Sequence, residues 1–214
     1  MINEIKELIE KAKSLTNSGH RFLDDRWNSE GLDNRNKHYR RTYYRFCMEL
    51  VRKVNPKIIV ELGIDEGDCS GHFAFGSPNA EVYGVDVHKD GEAPSLRCRM
   101  VEQQFPNFKY LRGWTWDKLN DIKALNRPID ILYIDSWHEY DYFARDWNDY
   151  VPLIAKNAIV LVDDLHLGEI INAFNLIPGD KYIDSTMNSA VPFGIAWNVD
   201  KTHKFTHKKR DYMP

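Results

Sequence analysis

"KIIVELGIDEGDCSGHFAFG", residues 57–76, decides the fold. Its first part is a near-continuous apolar run interrupted only by Glu61, which suits a strand covered on both faces. Gly63 and Gly67 then punctuate a short turn, and "DCSGHFAFG" opens a helix. Strand, glycine turn and helix in that order form the first half of a βαβ unit.

Working outward, the same alternation recurs. "EVYGVDV" is a strand and "SLRCRMVEQQF" a helix; "FKYLRG" is a strand and "WDKLNDIKAL" a short helix. "IDILYID" precedes the long helix "YDYFARDWNDYVPLI", and "AIVLVDD" precedes the helical "EIINAFNLI". Apolar strands separated by helices predict a parallel sheet covered on both faces. "KYIDST" and "FGIAWNV" have only a short connection between them and fit an antiparallel hairpin at the sheet edge. Upstream, Ile2, Ile5, Leu8 and Ile9 fall at helical spacing, and a second helix is expected over His38 to Val54. Between them Asn17 to Asn36, polar but with Phe22 and Trp27, reads as an irregular segment of the kind that forms a lid. The basic, aromatic "HYRRTYYRF" reads as a helix with one packed face and solvated arginines rather than a nucleic-acid contact.

Bulk properties narrow the classes. A chain of 214 residues suits one α/β domain. A formal charge of −3 gives no global reason to expect nucleic acid or an anionic membrane as partner. Cys47, Cys69 and Cys98 are scattered, which suits a reducing compartment. The interleaved charges of "MINEIKELIEKAKSL" do not read as a secretory signal, and no apolar run is long enough to cross a membrane. The expectation is a soluble cytoplasmic protein, with homo-oligomerisation left open.

In open parallel sheets, ligands bind beyond the carboxyl ends of the strands. Those ends carry Glu61, Gly63 and Gly67; Asp86; Gly113, Trp114, Thr115 and Trp116; Asp135 and His138; and Asp163, Asp164 and His166. The first turn discriminates between nucleotides. A pyrophosphate needs glycines and a bare helix N-terminus, yet Asp65, Glu66 and Asp68 crowd this turn, with Glu61 behind them. S-adenosylmethionine (SAM) has no phosphate and carries a sulfonium and an ammonium, so acids suit it better than they suit NAD. Asp86 fits the ribose of either ligand. Trp114 and Trp116 are placed to sandwich an adenine, or simply to pack in the core.

"VELGIDEG", "GVDVH", "IDILYIDSWHEY" and "PLIAKNAIVLVDDLH" together resemble, in order and spacing, the class I SAM-dependent methyltransferases. The likeness is to the metal-dependent small-molecule O-methyltransferase branch that holds the catechol and macrolide-sugar enzymes, over residues 56–200. It implies a Rossmann-like, seven-stranded α/β sheet, mostly parallel with a C-terminal antiparallel hairpin. Residues 1–54 would be an N-terminal helical extension or lid, and 55–214 the methyltransferase domain. The resemblance also implies SAM on Glu61, Gly63, Gly67, Asp86, the Gly113–Trp116 stretch and Asp135. It places Mg²⁺ on Asp135, Asp163 and Asp164, which agrees with the cation's preference for carboxylate oxygens. The acceptor would be a hydroxyl on a small molecule. His138, where catechol enzymes place a lysine, is either the base that takes the hydroxyl proton or a partner of a carboxylate. His166 would stand behind the metal ligands, while His20 and His38 read as surface residues. The acidic first turn, the bulky tryptophans and the unmatched first fifty residues depart from the branch. An NAD-dependent oxidoreductase and a non-catalytic ligand-binding domain remain as alternatives.

Overall fold

Strand β1 (Ile58–Leu62) is buried along its whole length, as its apolar run requires. It pairs in parallel with β2 (Glu81–Asp86) on one side and β4 (Ile129–Ile134) on the other. The computed structural model describes residues 1–24, 34–87, 96–187 and 191–206, the side chains of residues 34–41 and 96 excepted. With β3 (Phe108–Arg112), β5 (Ile154–Val162), β6 (Asp180–Asp184) and β7 (Phe193–Trp197), the strands form one sheet in the order β3-β2-β1-β4-β5-β7-β6. The first five run parallel, and β7 is antiparallel to both β5 and β6. The strand order reverses between β1 and β4, so a crevice opens beyond their carboxyl ends.

Period-two alternation divides the sheet's side chains between two cores. Ile59, Ile131, Tyr133 and Ile195 face α1 (Ile2–Ser14), α2 (Asn34–Val54), α3 (Asp68–Gly76) and α4 (Leu96–Gln104), which contribute Ile9, Phe46, Phe73 and Val101. Val60, Leu132 and Val160 face α5 (Thr115–Lys123), α6 (Tyr140–Tyr150) and α7 (Ile170–Leu176), which contribute Ile122, Trp147 and Phe174. The N-terminal helices therefore share a core with the sheet. Among the described residues no helix is long and apolar enough to cross a membrane.

Three local expectations change. The helix expected to run through Ile154 ends at Tyr150, followed by a 3₁₀ turn over Val151–Leu153 that contains Pro152. Proline has no N–H to continue a helix, and Ile154 instead begins β5, paired with Ile129 ahead of a register shift. Arg45 of α2 is buried rather than solvated, donating to the Leu15 and Thr16 carbonyls and so tying α2 to the end of α1. His20 is not a surface residue: its ring lies 4.9 Å from Phe75 and 5.0 Å from Phe105. The central part of the expected lid, including Trp27, lies outside the described residues, as does the His38 side chain. Phe22 is packed, with the Arg97 guanidinium 4.0 Å from its ring centre.

Candidate active site

The turn after β1 is built by close approach. Gly63 has φ +82°, and a Cβ there would stand 2.2 Å from the Asp135 carbonyl oxygen. Only glycine lets the ends of β1 and β4 come this near. The turn is then held from β2: Asp86 Oδ2 accepts the amides of Ile64 at 2.8 Å and Asp65 at 2.9 Å. Glu61 is buried and accepts from Ser70 Oγ, and burial pushes its carboxyl well above the usual range. One acid of the turn already has a cationic partner within the protein. Asp68 is buried in a two-point contact with Arg97, whose Nη2 also donates to the Phe22 carbonyl at 3.1 Å.

Beyond β2 and β3 lies a hollow of about 120 Å³ lined by Gly63, Asp86, Gly113, Trp114, Thr115 and Trp116, together with Ser136, Trp137 and Tyr142. Trp114 and Trp116 stack on each other, centroids 4.8 Å apart and 6° from parallel. That spacing leaves no room for an adenine between them, so the sandwich expected from sequence is replaced by a double-thickness wall. Arg145 backs the wall at 3.8 Å from the Trp116 ring centre. Below it, Asp146 accepts from Thr115 and Ser136, and burial pushes its carboxyl up to about 6.

At the ends of β4 and β5 the carboxylates gather. His138 Nε2 is buried, 3.1 Å from Asp164 Oδ2 and 3.6 Å from Asp135 Oδ1, with no well-formed hydrogen bond to any described residue. One ligand atom each from Asp135, His138 and Asp164 falls within 4.8 Å of the others. Asp163 stands differently: Oδ1 accepts the Asp164 amide at 2.8 Å and Oδ2 the Tyr133 hydroxyl at 2.9 Å. Tyr133 also reaches Asp135 at 3.2 Å. The trio the geometry gathers is therefore Asp135, His138 and Asp164, with Asp163 bound up behind it. Asp164 leaves the strand at φ +48°, a conformation that aspartate tolerates better than most residues. Burial and then the neighbouring Asp163 raise the Asp135 carboxyl well above normal; burial and then Asp164 push Asp163 up to about 6. Asp135 in turn raises the His138 imidazole against the opposing effect of burial. His166 Nδ1 lies 3.7 Å from Asp164 Oδ1, beside the cluster.

Both ends open into one cleft of about 370 Å³, reached by Gly63 and Asp86 from one side and by His138 and Asp164 from the other. Its roof holds two residues that sequence reading missed, Tyr43 and Tyr44 of α2. Nothing in "HYRRTYYRF" distinguishes tyrosines that look into a cleft from those that pack, because the direction of α2 is set by its neighbours.

A seven-stranded sheet of this order, with a glycine turn after β1 and acids after β2, β4 and β5, defines a class I methyltransferase fold. Residues 60–165 match the model of a family described as a methyltransferase domain. The chain thus contains a methyltransferase domain, as its motifs implied. Its fold is shared with the O-methyltransferase from Bacillus cereus solved in complex with S-adenosylhomocysteine (SAH), at TM-score 0.63 and 14% identity, covering 92% of this chain and 99% of that one. Among curated sequences it is similar to the uncharacterized protein y4gI of Sinorhizobium fredii, 28% identical over 58% of this chain and 15% of the relative. It is also similar to a tRNA (guanine-N(7)-)-methyltransferase of Colwellia psychrerythraea, 22% identical over 67% of this chain and 57% of the relative. The matched stretch thus spans less than two thirds of either relative.

Proposed function

We propose that this protein transfers the methyl group of SAM to a hydroxyl of a small molecule, with a divalent cation, Mg²⁺ by expectation, beside the reacting oxygen. The observation that carries this reading is the meeting of Asp135, His138 and Asp164 in the same cleft as Gly63 and Asp86. In this reading Asp86 Oδ2 keeps the first turn in shape while the carboxylate faces the ribose hydroxyls. Gly63 and Gly67 give room to the methionine portion, Glu61 and Asp135 face its ammonium, and the Trp114–Trp116 wall borders the adenine.

The cation fits the residues present. Carboxylates this close repel one another without positive charge between them, and a buried imidazole nitrogen with no well-formed hydrogen bond among the described residues faces the same space. Asp135 and Asp164 would hold the ion, with Asp163 supporting from behind through Tyr133. When bound, such an ion stabilises the anionic form of a hydroxyl. SAM supplies an electrophilic methyl on a sulfonium, which leaves as a neutral thioether. His138 receives the hydroxyl proton at Nε2 as the acceptor oxygen forms its bond to the methyl carbon and the carbon–sulfur bond breaks. The N-terminal part of the chain, whose Tyr43 and Tyr44 line the cleft, would select the acceptor.

The three-atom cluster favours one second reading, in which His138 is a cation ligand instead of the base. Isothermal titration of Mn²⁺ into His138→Ala separates them: a base leaves cation affinity unchanged and lowers turnover, whereas a ligand lowers the affinity itself. The main reading is tested by titrating SAH and NAD, with and without Mg²⁺, followed by methylation assays on catechols, amino sugars and bulk tRNA. SAH binding strengthened by Mg²⁺, with methylation of a small hydroxyl compound, is the expected result. NAD binding without SAH binding would refute it, and methylation of tRNA alone would move the activity to nucleic acid. SAH binding without turnover on any acceptor would favour a non-catalytic domain.

A further inference from the structure

Packing accounts for the place of the Tyr43 ring at the cleft but not for its hydroxyl. Its ring lies edge-on to Phe193 at 4.9 Å and 6.3 Å from Tyr133, so β4 and β7 fix its direction. The residue is only 4% exposed, yet its hydroxyl, at a side chain lining the cleft, has no hydrogen-bond partner among the described residues. Buried polar groups in folded proteins are nearly always satisfied. A hydroxyl left over at the wall of a binding cleft is therefore suited to a ligand.

The chemistry of the cleft says which part of a ligand it suits. Glu61, Asp65, Asp86, Asp135, Asp163 and Asp164 all line the space and present acceptors. Resting on the SAM reading above, the incoming molecule carries an ammonium and a carboxylate on the same carbon. The ammonium is welcome among acids, whereas the carboxylate is repelled by them and requires neutral donors close by. The Ser70 hydroxyl beside the first turn is already committed to Glu61, and Tyr44 is turned to stack on His72 at 5.2 Å. We propose that the Tyr43 hydroxyl donates a hydrogen bond to the α-carboxylate of SAM, so that α2 completes the amino-acid subsite.

The test compares two ligands on one variant. Tyr43→Phe keeps the ring between Phe193 and Tyr133 and removes only an unsatisfied hydroxyl, so the melting temperature of the unliganded protein should not fall. Isothermal titration should show SAH affinity lowered about tenfold or more, the scale of a hydrogen bond to a charged group. Affinity for 5′-methylthioadenosine, which shares the nucleoside and sulfur but lacks the amino-acid carboxylate, should stay within about twofold of wild type, since the proposed bond is absent from both complexes. Unchanged SAH binding, or equal weakening of both ligands, would overturn the role of Tyr43 and leave the SAM reading standing. Loss of turnover with SAH binding intact would likewise overturn it, moving the hydroxyl to the acceptor. If the wild-type protein binds neither ligand, the SAM reading itself fails and this inference falls with it.

Discussion

Asp86 Oδ2 already holds the amides of Ile64 and Asp65, and Asp146 already holds the hydroxyls of Thr115 and Ser136. At the other end of the cleft Asp135 and Asp164 face a histidine nitrogen that completes no hydrogen bond among the described residues. The first end is finished by the protein's own groups and offers a shape. The second is a concentration of carboxylates set against the imidazole of His138, which Asp135 raises. Side chains that satisfy one another build a surface for recognition, whereas side chains that cannot do so mark where a cation, a proton or a ligand has to enter.

The sharpest way to break the finished end is Gly63→Ala. The added methyl would overlap the Asp135 carbonyl oxygen and force alanine to φ +82°. Overpacking and left-handed strain together predict a loss of about 4 kcal/mol or more. Urea denaturation would measure it, and a change under about 1 kcal/mol would show that β1 and β4 separate easily.

A pH series probes the same end through Asp146. Its carboxyl is raised from 3.8 in the reference state to about 6 in the folded protein, so the folded state binds the proton more tightly. The associated stability is complete below about pH 3.8 and is lost as pH rises through about 6. Asp146→Asn should therefore gain up to about 3 kcal/mol relative to wild type between pH 4 and pH 7, by chemical denaturation. The comparison must be variant against wild type because buried His72, lowered to about 4, acts in the opposite sense. It costs stability as pH falls from 6.5 through about 4.

At the unfinished end, Asp135→Asn removes one of the facing charges. Without added cation the variant should melt a few degrees higher than wild type, because repulsion is relieved. Its affinity for Mn²⁺ should fall on the order of 100-fold, at least the scale seen when even a supporting group is lost. Undiminished Mn²⁺ binding by titration would remove Asp135 from the cation site. The smallest expected effect belongs to the wall: Trp116→Ala should weaken SAH about tenfold, the scale of stacking on one aromatic face. Equal binding by titration would show that adenine lies elsewhere.

Much of this was legible in the sequence for local reasons. Ile58–Leu62 had to be a covered strand, Gly63 a turn residue, and Asp135 and Asp164 strand-end acids, because each follows from period, backbone freedom or position after an apolar run. Pro152 was equally legible as the end of α6, although the long amphipathic pattern masked it. What only the tertiary structure decided concerns pairs of residues far apart in the chain. Asp68 met Arg97, Trp114 met Trp116 with no space for an adenine between them, and Asp163 met Tyr133 while His138 met Asp135 and Asp164. Tyr43 reached the cleft because α2 packs where Phe193 and Tyr133 direct it. Sequence determines which groups a segment carries and which face they share; the packing of segments against one another determines which groups meet, and therefore which are left unsatisfied.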